Sequence, residues 1–211
     1  MFEEFIRKLS YQLTLPLPGA KAQYLMAPSR RLPPQAYVDK NINAKRSSIL
    51  ILLFPEKEDI KIVLTLRNVY AGVHSGQVSF PGGRYEMADE NLINTATRET
   101  EEEIGITRKD IHIAGGLTSV YIPVSNFLVS PFVGYMWYKP EFIIDTKEVA
   151  EVLEVSLNEL LDESIIKSKE INITDDVSTK APFYDIKGHH IWGATAMIIS
   201  EFIEILKQIR S

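Results

Sequence analysis

The sequence of 211 residues contains no cysteine. Disulfide bonds, thiolate metal sites and a cysteine nucleophile are therefore excluded, and the absence fits a reducing, cytoplasmic location. Long apolar runs are also missing, since no stretch approaches the roughly 20 apolar residues that span a bilayer. The N-terminus carries the acids Glu3 and Glu4 where a signal peptide would have its apolar core. We therefore expect a cytoplasmic protein that does not contact a membrane.

An excess of positive charge is a third feature that the chain lacks. Its 23 Lys and Arg residues are outnumbered by 28 Asp and Glu residues, which gives a net charge of −5. This balance argues against nucleic-acid binding as the main function. Phosphate binding stays open, because a metal ion and a few arginines can make a local positive site. The content of 45% hydrophobic and 24% charged residues is that of an ordinary globular protein with one core.

The N-terminal part of the chain has a composition of its own. Five prolines among residues 14–35 predict an arm without regular structure that lies over the surface. We expect residues 1–45, a helix followed by this arm, to pack on a domain formed by residues 46–211. The appendage also makes a homodimer a reasonable expectation. Within the arm, Arg30 and Arg31 are either solvated loop residues or available to a ligand phosphate.

The pattern of apolar residues predicts an alternation of strands and helices. The run Ser47–Phe54 indicates a strand covered on both faces, and a polar turn leads to a second strand, so that residues 48–66 form a hairpin. Residues 92–104 contain no Gly or Pro and predict a helix of about three turns that Gly105 ends. The other predicted elements are helices over 2–13 and 157–161, strands over 111–120, 127–137 and 148–155, a hairpin over 165–174 and 182–186, and a terminal helix that begins near residue 191.

The predicted helix over residues 92–104 ends in a group of acids. Glu99, Glu102 and Glu103 stand at i, i+3 and i+4, so their carboxylates share one face, whereas Glu101 points elsewhere. Like charges at this spacing repel by roughly 0.2–0.5 kcal/mol per pair, and acids at a helix C-terminus cost about 0.3–1 kcal/mol each. A cation among them explains the arrangement most simply, and hard oxygen ligands suit Mg²⁺ or Mn²⁺ and phosphate chemistry. The alternative is a solvated acidic face.

The spacing of these residues favours the metal site. The segment Arg98-Glu99-x-x-Glu102-Glu103-x-Gly105 fixes five identities, which chance would match on the order of once in a million windows. Together with Gly83 and Ile106, it resembles the Nudix box, G-x5-E-x7-R-E-U-x-E-E-x-G-U, in which U is a bulky apolar residue. The resemblance identifies the glutamates as the metal-binding face of a Nudix-type protein.

The loop before the box resembles a more specific signature. Residues 63–83 read VLTLRNVYAGVHSGQVSFPGG, which is similar to LLTxRSxxxRxxxGxxxFPGG, the segment before the box in the coenzyme A pyrophosphatase subfamily. Val63, Asn68 and Gly72 depart from it, and Gly72 replaces an arginine. The Gly-Gly pair also permits close approach of backbone to a phosphate. The predicted substrate-binding residues are Arg67, His74, Gln77, Gly82 and Gly83.

Two positions depart from the box itself. Thr100 stands where a bulky apolar residue is usual. The segment from Gly83 to Arg98 is one residue too long, so the first acid of the box is either Asp89 or Glu90. The coenzyme A pyrophosphatase subfamily has the same longer spacer, with its acid nine residues before the arginine, and this favours Asp89.

The resemblance implies an α/β fold, a Nudix-type α/β/α sandwich with a mixed β-sheet. The box helix is expected to pack on the sheet, and the terminal helix to cover another face. The box residues expected to face the sheet are Ile93, Ala96, Thr97, Thr100 and Ile104.

The resemblance also implies metal-dependent hydrolysis of a diphosphate linkage. Mg²⁺ or Mn²⁺ would be held by Glu99, Glu102 and Glu103, with Arg98 holding Glu102 in place at i+4. One of these glutamates, or Glu148, would activate the water. Glu148 is a candidate because the subfamily tends to have Asp/Glu-Glu-Val-Ala in this region, which Lys147-Glu148-Val149-Ala150 resembles. The predicted catalytic residues are thus Glu102, Glu99, Arg98 and Glu148.

Three functions remain open at this point. The subfamily implies coenzyme A or its derivatives as the substrate, split into 3′,5′-ADP and 4′-phosphopantetheine forms. A Nudix pyrophosphatase for NADH, ADP-ribose, sugar nucleotides or dinucleoside polyphosphates is the nearest alternative, and Gly72 keeps it open. A non-catalytic nucleotide-binding Nudix module is the third, although glutamates at all three box positions argue against it.

Overall fold

The computed structural model describes residues 1–37, 43–69, 75–174 and 177–210. Its helices are α1 (Phe2–Gln12), α2 (Ala20–Gln23), α3 (Leu92–Ile104), α4 (Leu157–Leu160) and α5 (Gly193–Arg210). Its strands are β1 (Lys45–Glu56), β2 (Asp59–Arg67), β3 (Val78–Ser79), β4 (Gly82–Arg84), β5 (His112–Gly116), β6 (Val120–Ile122), β7 (Phe127–Tyr135), β8 (Val149–Ser156), β9 (Ile166–Thr174), β10 (Val177–Ile186) and β11 (His189–Ile191). No helix in these ranges is long and apolar enough to cross a bilayer.

The strands of the described residues form two sheets. The larger, eight-stranded sheet has the order β3-β2-β1-β7-β5, with β4, β6 and β8 paired to β1, β7 and β2 respectively. It is mixed, because β1 and β7 run parallel whereas β1 pairs antiparallel with β2. The smaller antiparallel sheet has the order β11-β10-β9. The predicted α/β class with a mixed sheet is confirmed.

Strand β1 is covered on both faces, as its continuous apolar run predicts. Leu50, Leu52 and Phe54 pack with Ala96 and Ile104 of α3 in one buried cluster. The alternate residues of the same strand, represented by Ile51 and Leu53, join a larger cluster on the opposite face, to which α1 and α5 contribute. Successive side chains of a strand point to opposite faces, so one run of apolar residues supplies two cores. This gives the α/β/α layering.

Helix α3 has the predicted bounds. The Asn91 side chain accepts a hydrogen bond from the Asn94 amide at 2.9 Å and caps the N-terminus. Gly105 ends the helix in the left-handed conformation, with φ of 75°. Thr100 is fully buried and its hydroxyl donates to the Ala96 carbonyl at 2.7 Å, which satisfies a polar group in the core. Ile93 was expected to face the sheet but is 36% exposed, so that expectation is wrong.

The N-terminal arm contains more structure than its prolines predict. Helix α2 lies within it, because a buried acid of α5 gives its backbone a fixed partner. The Glu201 carboxylate is fully buried and accepts hydrogen bonds from the Gly19 amide at 3.0 Å and the Gln23 side chain at 2.8 Å. The Ser200 hydroxyl donates to the Ala22 carbonyl at 2.8 Å. The arm is therefore docked on the terminal helix. The division at residue 45 stays a prediction.

Three other elements differ from the predictions in extent. The predicted strand over 111–120 is two strands, β5 and β6, which pair with different parts of β7. Strand β10 begins at Val177 and not at Pro182, so the last hairpin is longer. Ile191 lies in β11 and pairs with Tyr184 of β10, so the terminal helix begins only after it, at Gly193.

Candidate active site

The glycine pair before the box forms β4 and lies against both β1 and α3. Gly82 and Gly83 pair with Ile49 and Ser48 of β1. A Cβ on Gly82 would lie 2.6 Å from the Ile49 Cα, and the residue has φ of +151°. A Cβ on Gly83 would overlap the carboxylate of Glu99. Only glycine therefore lets this strand run directly beneath the glutamates of the box helix.

Arg98 is the residue through which the acids of this region are connected. Its Nε donates to Asp89 Oδ1 at 2.7 Å, and its Nη1 donates to Glu102 Oε2 at 2.8 Å. Its Nη2 lies 2.9 Å from Glu99 Oε1 and also donates to the Arg84 carbonyl at 3.0 Å. The predicted Arg98–Glu102 contact is present. The guanidinium fixes three carboxylates at once because its donors form a rigid planar fork.

Of the two candidates for the first acid of the box, Asp89 is the one that contacts Arg98. Its side chain is 2% exposed and it accepts hydrogen bonds from the Glu86 amide at 2.9 Å and the Thr95 hydroxyl at 2.9 Å, in addition to Arg98. These bonds, with that from Arg98 the largest influence, lower the pKa of Asp89 to about 2. Glu90 has a positive φ and is exposed. The extra residue of the spacer is absorbed at this turn, and it leaves Asp89 facing Arg98.

Two of the predicted metal ligands are largely withdrawn from water. The side chain of Glu103 is 3% exposed, and burial raises its pKa to about 8. It accepts a hydrogen bond from the Gly82 amide at 3.2 Å and lies 3.6 Å from Arg67. Burial also raises the pKa of Glu99 above its usual range, and the negative charges of Glu102 and Glu148 act in the same direction.

Glu148 comes from the chain segment just before β8, far from the box in sequence. Its backbone carbonyl accepts a hydrogen bond from the Asn68 amide at 3.0 Å, which ties the segment to the end of β2. Its charge raises the pKa of both Glu99 and Glu103. The tertiary structure therefore brings this carboxylate to the box glutamates, as the sequence predicts.

These groups open into a cavity of about 730 Å³. This volume lies within the range of small-molecule and cofactor sites. The carboxylates of Glu99, Glu103 and Glu148 line one part of it, and apolar side chains line much of the rest. Those apolar residues include Ile49, Phe80, Ile122, Phe127, Trp192 and Ile198. The site thus combines a group of carboxylates with mostly apolar walls.

Most of the predicted site residues meet in this cavity. Besides the three glutamates just named, its predicted members are Arg67, Gln77, Gly82 and Gly83. Arg98 and Glu102 do not line it; they contact each other at 2.8 Å, and the side chain of Glu102 is 55% exposed. His74, like Gly72, lies outside the described residues.

Other lining residues were not predicted to belong to the site. They are Tyr37, Arg84, Ser125 and Thr195 among others. Arg84 directly follows the glycine pair, so its position in sequence was a usable signal. The remaining three come from separate parts of the chain, and no local pattern marks them.

The donor set fits a hard divalent cation. Glu99 and Glu103 are carboxylates with raised pKa, and Glu148 lies close enough to repel both. A cation would offset both the burial and the repulsion of these charges. In the described part of the chain, no three His, Cys, Asp or Glu side chains already converge as a metal site. Glu102 is held by Arg98, and it must turn from that arginine to share an ion with Glu99 and Glu103.

Comparisons with known proteins agree with this geometry. A family model described as the NUDIX domain matches residues 44–177. The chain is 32% identical over 199 residues to proteins of Yersinia pestis and Yersinia pseudotuberculosis that are named "Uncharacterized Nudix hydrolase NudL", covering 93% of this chain and 90% of each relative.

Solved structures show the same fold at low sequence identity. The crystal structure of the Nudix hydrolase RenU from M. smegmatis has a TM-score of 0.54 and 13% identity, with 79% of this chain and 88% of that chain covered. A MutT protein from Methanosarcina mazei has a TM-score of 0.51 and 19% identity, with 78% and 95% covered. These structures support the architecture and carry no information on the substrate.

Proposed function

Because this chain belongs to the Nudix family of pyrophosphohydrolases, we propose that it hydrolyses the diphosphate linkage of coenzyme A or a derivative of it. The products are 3′,5′-ADP and the corresponding 4′-phosphopantetheine form. The observation that carries the proposal is the cavity, whose wall combines three carboxylates with many apolar side chains. The carboxylates suit a metal-bound diphosphate, and the apolar side chains suit the uncharged portions of the substrate.

Nudix hydrolases generally use divalent metal ions such as Mg²⁺ or Mn²⁺. Glu99, Glu102 and Glu103 are the residues that would hold such an ion, and when bound it neutralises phosphoryl oxygens and lowers the pKa of water. Glu148 or one of the box glutamates accepts the proton of the attacking water. Arg98 acts through these groups by holding Glu99 and Glu102 at fixed distances.

Arg67 has a separate part in the proposal. It lines the cavity and lies 3.6 Å from Glu103, and its Nε is buried without a hydrogen-bond partner among the described residues. A diphosphate placed beside Glu103 would give this guanidinium a second anionic partner and its Nε an acceptor. Gln77, Gly82 and Gly83 also line the cavity. We assign Arg67 to the binding of the diphosphate.

A substrate panel tests the proposal. Purified protein with Mg²⁺ or Mn²⁺ is offered coenzyme A, acetyl-coenzyme A, NADH, ADP-ribose and dinucleoside polyphosphates, and the products are separated by chromatography. We expect the highest kcat/KM with coenzyme A or an acyl derivative. Preferential hydrolysis of a substrate without pantetheine would contradict the substrate assignment. Binding without turnover of any compound would indicate a nucleotide-binding module.

Single substitutions on the box helix test the metal ligands. Glu103→Gln and Glu102→Gln are expected to lower metal-dependent kcat by about a hundredfold or more, since each removes a charged ligand. Glu101→Gln is the matched control, because Glu101 is on the same helix but pairs with Arg108 at 2.6 Å on the surface. Turnover near that of the wild type in both test variants would contradict the assignment.

A further inference from the structure

The N-terminal arm places a second basic group in the cavity, remote from the carboxylates. Arg31 lines the cavity, and its guanidinium lies over the rings of Tyr24 and Tyr37, 5.6 Å and 5.5 Å from their centroids. Its Nη2 donates to the carbonyl of Tyr121 in β6 at 2.6 Å. Stacking and a hydrogen bond therefore fix the orientation of this guanidinium.

The positive charge of Arg31 has no acidic partner in the described part of the chain. Arg31 forms no ion pair with an Asp or Glu of the described residues, and its Nε is buried without an acceptor. Arg30 also lines the cavity, and so does Ser125, whose buried hydroxyl lacks a hydrogen-bond partner among the described residues. A stacked arginine with unused donors, a second arginine and a hydroxyl are groups that recognise a phosphate.

The strand register gives the separation between this group and the catalytic glutamates. Tyr121 pairs with Leu128 of β7, whose neighbour Val129 pairs with Ser47 of β1, and β1 in turn pairs with Gly82 and Gly83 of β4. The path crosses three strand spacings, so the backbone of Tyr121, which binds Arg31, and that of Gly83, which Glu99 contacts, lie about 14 Å apart. A guanidinium that far from the glutamates does not reach the diphosphate that they process. It can reach an anionic group elsewhere on the same substrate.

We propose that Arg31, assisted by Arg30 and Ser125, forms a second anion subsite that binds a phosphate monoester on the ribose of the substrate. This subsite rests on the proposed function, since it distinguishes a nucleoside diphosphate derivative with an additional ribose phosphate from one without it. Arg31 is then a specificity-determining residue of the arm. The Glu201 carboxylate positions it indirectly, because Glu201 holds the segment from Gly19 to Gln23 on α5.

The test compares two substrates that differ only in the ribose phosphate, coenzyme A and 3′-dephospho-coenzyme A. Arg31→Met is expected to lower kcat/KM for coenzyme A by about ten- to a hundredfold, the usual effect of losing a charge-assisted hydrogen bond. The value for the dephosphorylated substrate is expected to stay within about twofold of the wild type. Arg31→Lys keeps the charge and should retain part of the discrimination.

The matched control is Arg46→Met. Arg46 also stacks on a tyrosine, with its guanidinium 4.7 Å from the Tyr85 centroid, but it does not line the cavity. Its loss should leave the ratio of the two kcat/KM values unchanged. An equal decrease for both substrates in Arg31→Met, or no change for either, would overturn the subsite.

A binding measurement keeps this test separate from the proposed reaction. Calorimetry without metal compares adenosine 3′,5′-bisphosphate, adenosine 2′,5′-bisphosphate and AMP on the wild type and on Arg31→Met. We expect one bisphosphate to bind the wild type at least about tenfold more tightly than AMP, and we expect Arg31→Met to lose this preference. The bisphosphate that is preferred shows whether the subsite binds a 3′-phosphate or a 2′-phosphate. If coenzyme A is not hydrolysed but this preference is present, the proposed substrate fails and the subsite stands. Equal affinities for all three ligands would overturn the subsite.

Discussion

Arg98 makes contacts with three carboxylates whose environments differ. The side chain of Asp89 is 2% exposed, that of Glu99 15% and that of Glu102 55%. The buried member anchors the arginine, and the exposed member is free to exchange its partner at little cost, because exposed ion pairs contribute only about 0–1 kcal/mol. One guanidinium therefore combines a structural bond with a positioning role for the glutamates.

Removal of the buried carboxylate tests the anchor. Asp89→Asn leaves the Arg98 guanidinium without its buried anionic partner, and we expect the free energy of unfolding to fall by about 3 kcal/mol. Metal-dependent activity should fall as well, since Glu99 and Glu102 lose a fixed neighbour. Glu90→Gln is the control and should change stability by less than about 0.5 kcal/mol. Urea unfolding measures the stability of both variants, and equal effects of the two substitutions would contradict the assignment of Asp89 as the anchor of Arg98.

The same ion pair gives a pH dependence of defined sign. The hydrogen bond from Arg98 lowers the pKa of Asp89 from 3.8 to about 2. A carboxyl whose pKa is lowered by folding stabilises the protein fully above its unfolded pKa, and this contribution is lost as the pH falls through the folded value. The pair should contribute roughly 2 kcal/mol above about pH 4 and progressively less towards pH 2. The free energies of unfolding of the wild type and of Asp89→Asn, measured in urea, should therefore approach each other as the pH falls towards 2. A constant difference over this range would contradict the pair.

At the scale of elements, β4 is the contact between the sheet and the box helix. It is short, and the adjacent glycines on it are required for different reasons. Gly82 faces the backbone of β1, which cannot move without breaking the sheet. Gly83 faces the end of the Glu99 side chain, which can rotate. The two positions should therefore respond differently to the same added methyl group.

Alanine at each glycine separates folding from activity. Gly82→Ala is expected to lower the free energy of unfolding by about 2–4 kcal/mol, from the clash with Ile49 and the strained φ. Gly83→Ala should cost less than about 1 kcal/mol but displace Glu99 and reduce kcat by roughly a hundredfold. Gly188→Ala is the control for φ alone, since Gly188 has φ of +80° and no described neighbour within 4 Å. The reverse pattern, with Gly83→Ala the less stable variant, would contradict this division.

For the whole molecule, the buried carboxylate of Glu201 is a central contact between the N-terminal arm and the core. Glu201 accepts hydrogen bonds from the Gly19 amide, the Gln23 side chain and the Thr118 amide. Helix α5 thus connects the arm to the loop between β5 and β6. Because the arm supplies residues of the cavity wall, the site depends on contacts far from the box helix.

Loss of this carboxylate should loosen the arm. Glu201→Ala leaves three donors without an acceptor, and we expect a destabilisation of about 3 kcal/mol or more. Limited proteolysis should cleave the variant within residues 14–35 before it cleaves the core. Glu204→Ala is the control, because Glu204 pairs with Lys207 at the surface and should alter stability by less than about 1 kcal/mol. Cleavage at the same rate as the wild type would contradict the docking of the arm by Glu201.

The sequence by itself determined the elements whose signals are local. Helix α3 follows from a segment without Gly or Pro that Gly105 ends, and the β1–β2 hairpin follows from two apolar runs around a polar turn. The shared face of Glu99, Glu102 and Glu103 follows from helical geometry. The spacing of these glutamates and the loop before them carry the resemblance to the family. These features need only neighbours in the chain, so their physical causes can be read from it.

The tertiary structure alone decided which distant residues meet. The choice of Asp89 over Glu90 depends on how a turn absorbs one extra residue, and the exposure of Ile93 depends on the packing of α3. The arm gained structure from Glu201, a residue on the last helix. Arg31 joined the cavity through a carbonyl on β6. Each outcome depends on how several strands and helices pack together. No single residue or local pattern in the sequence indicates that packing.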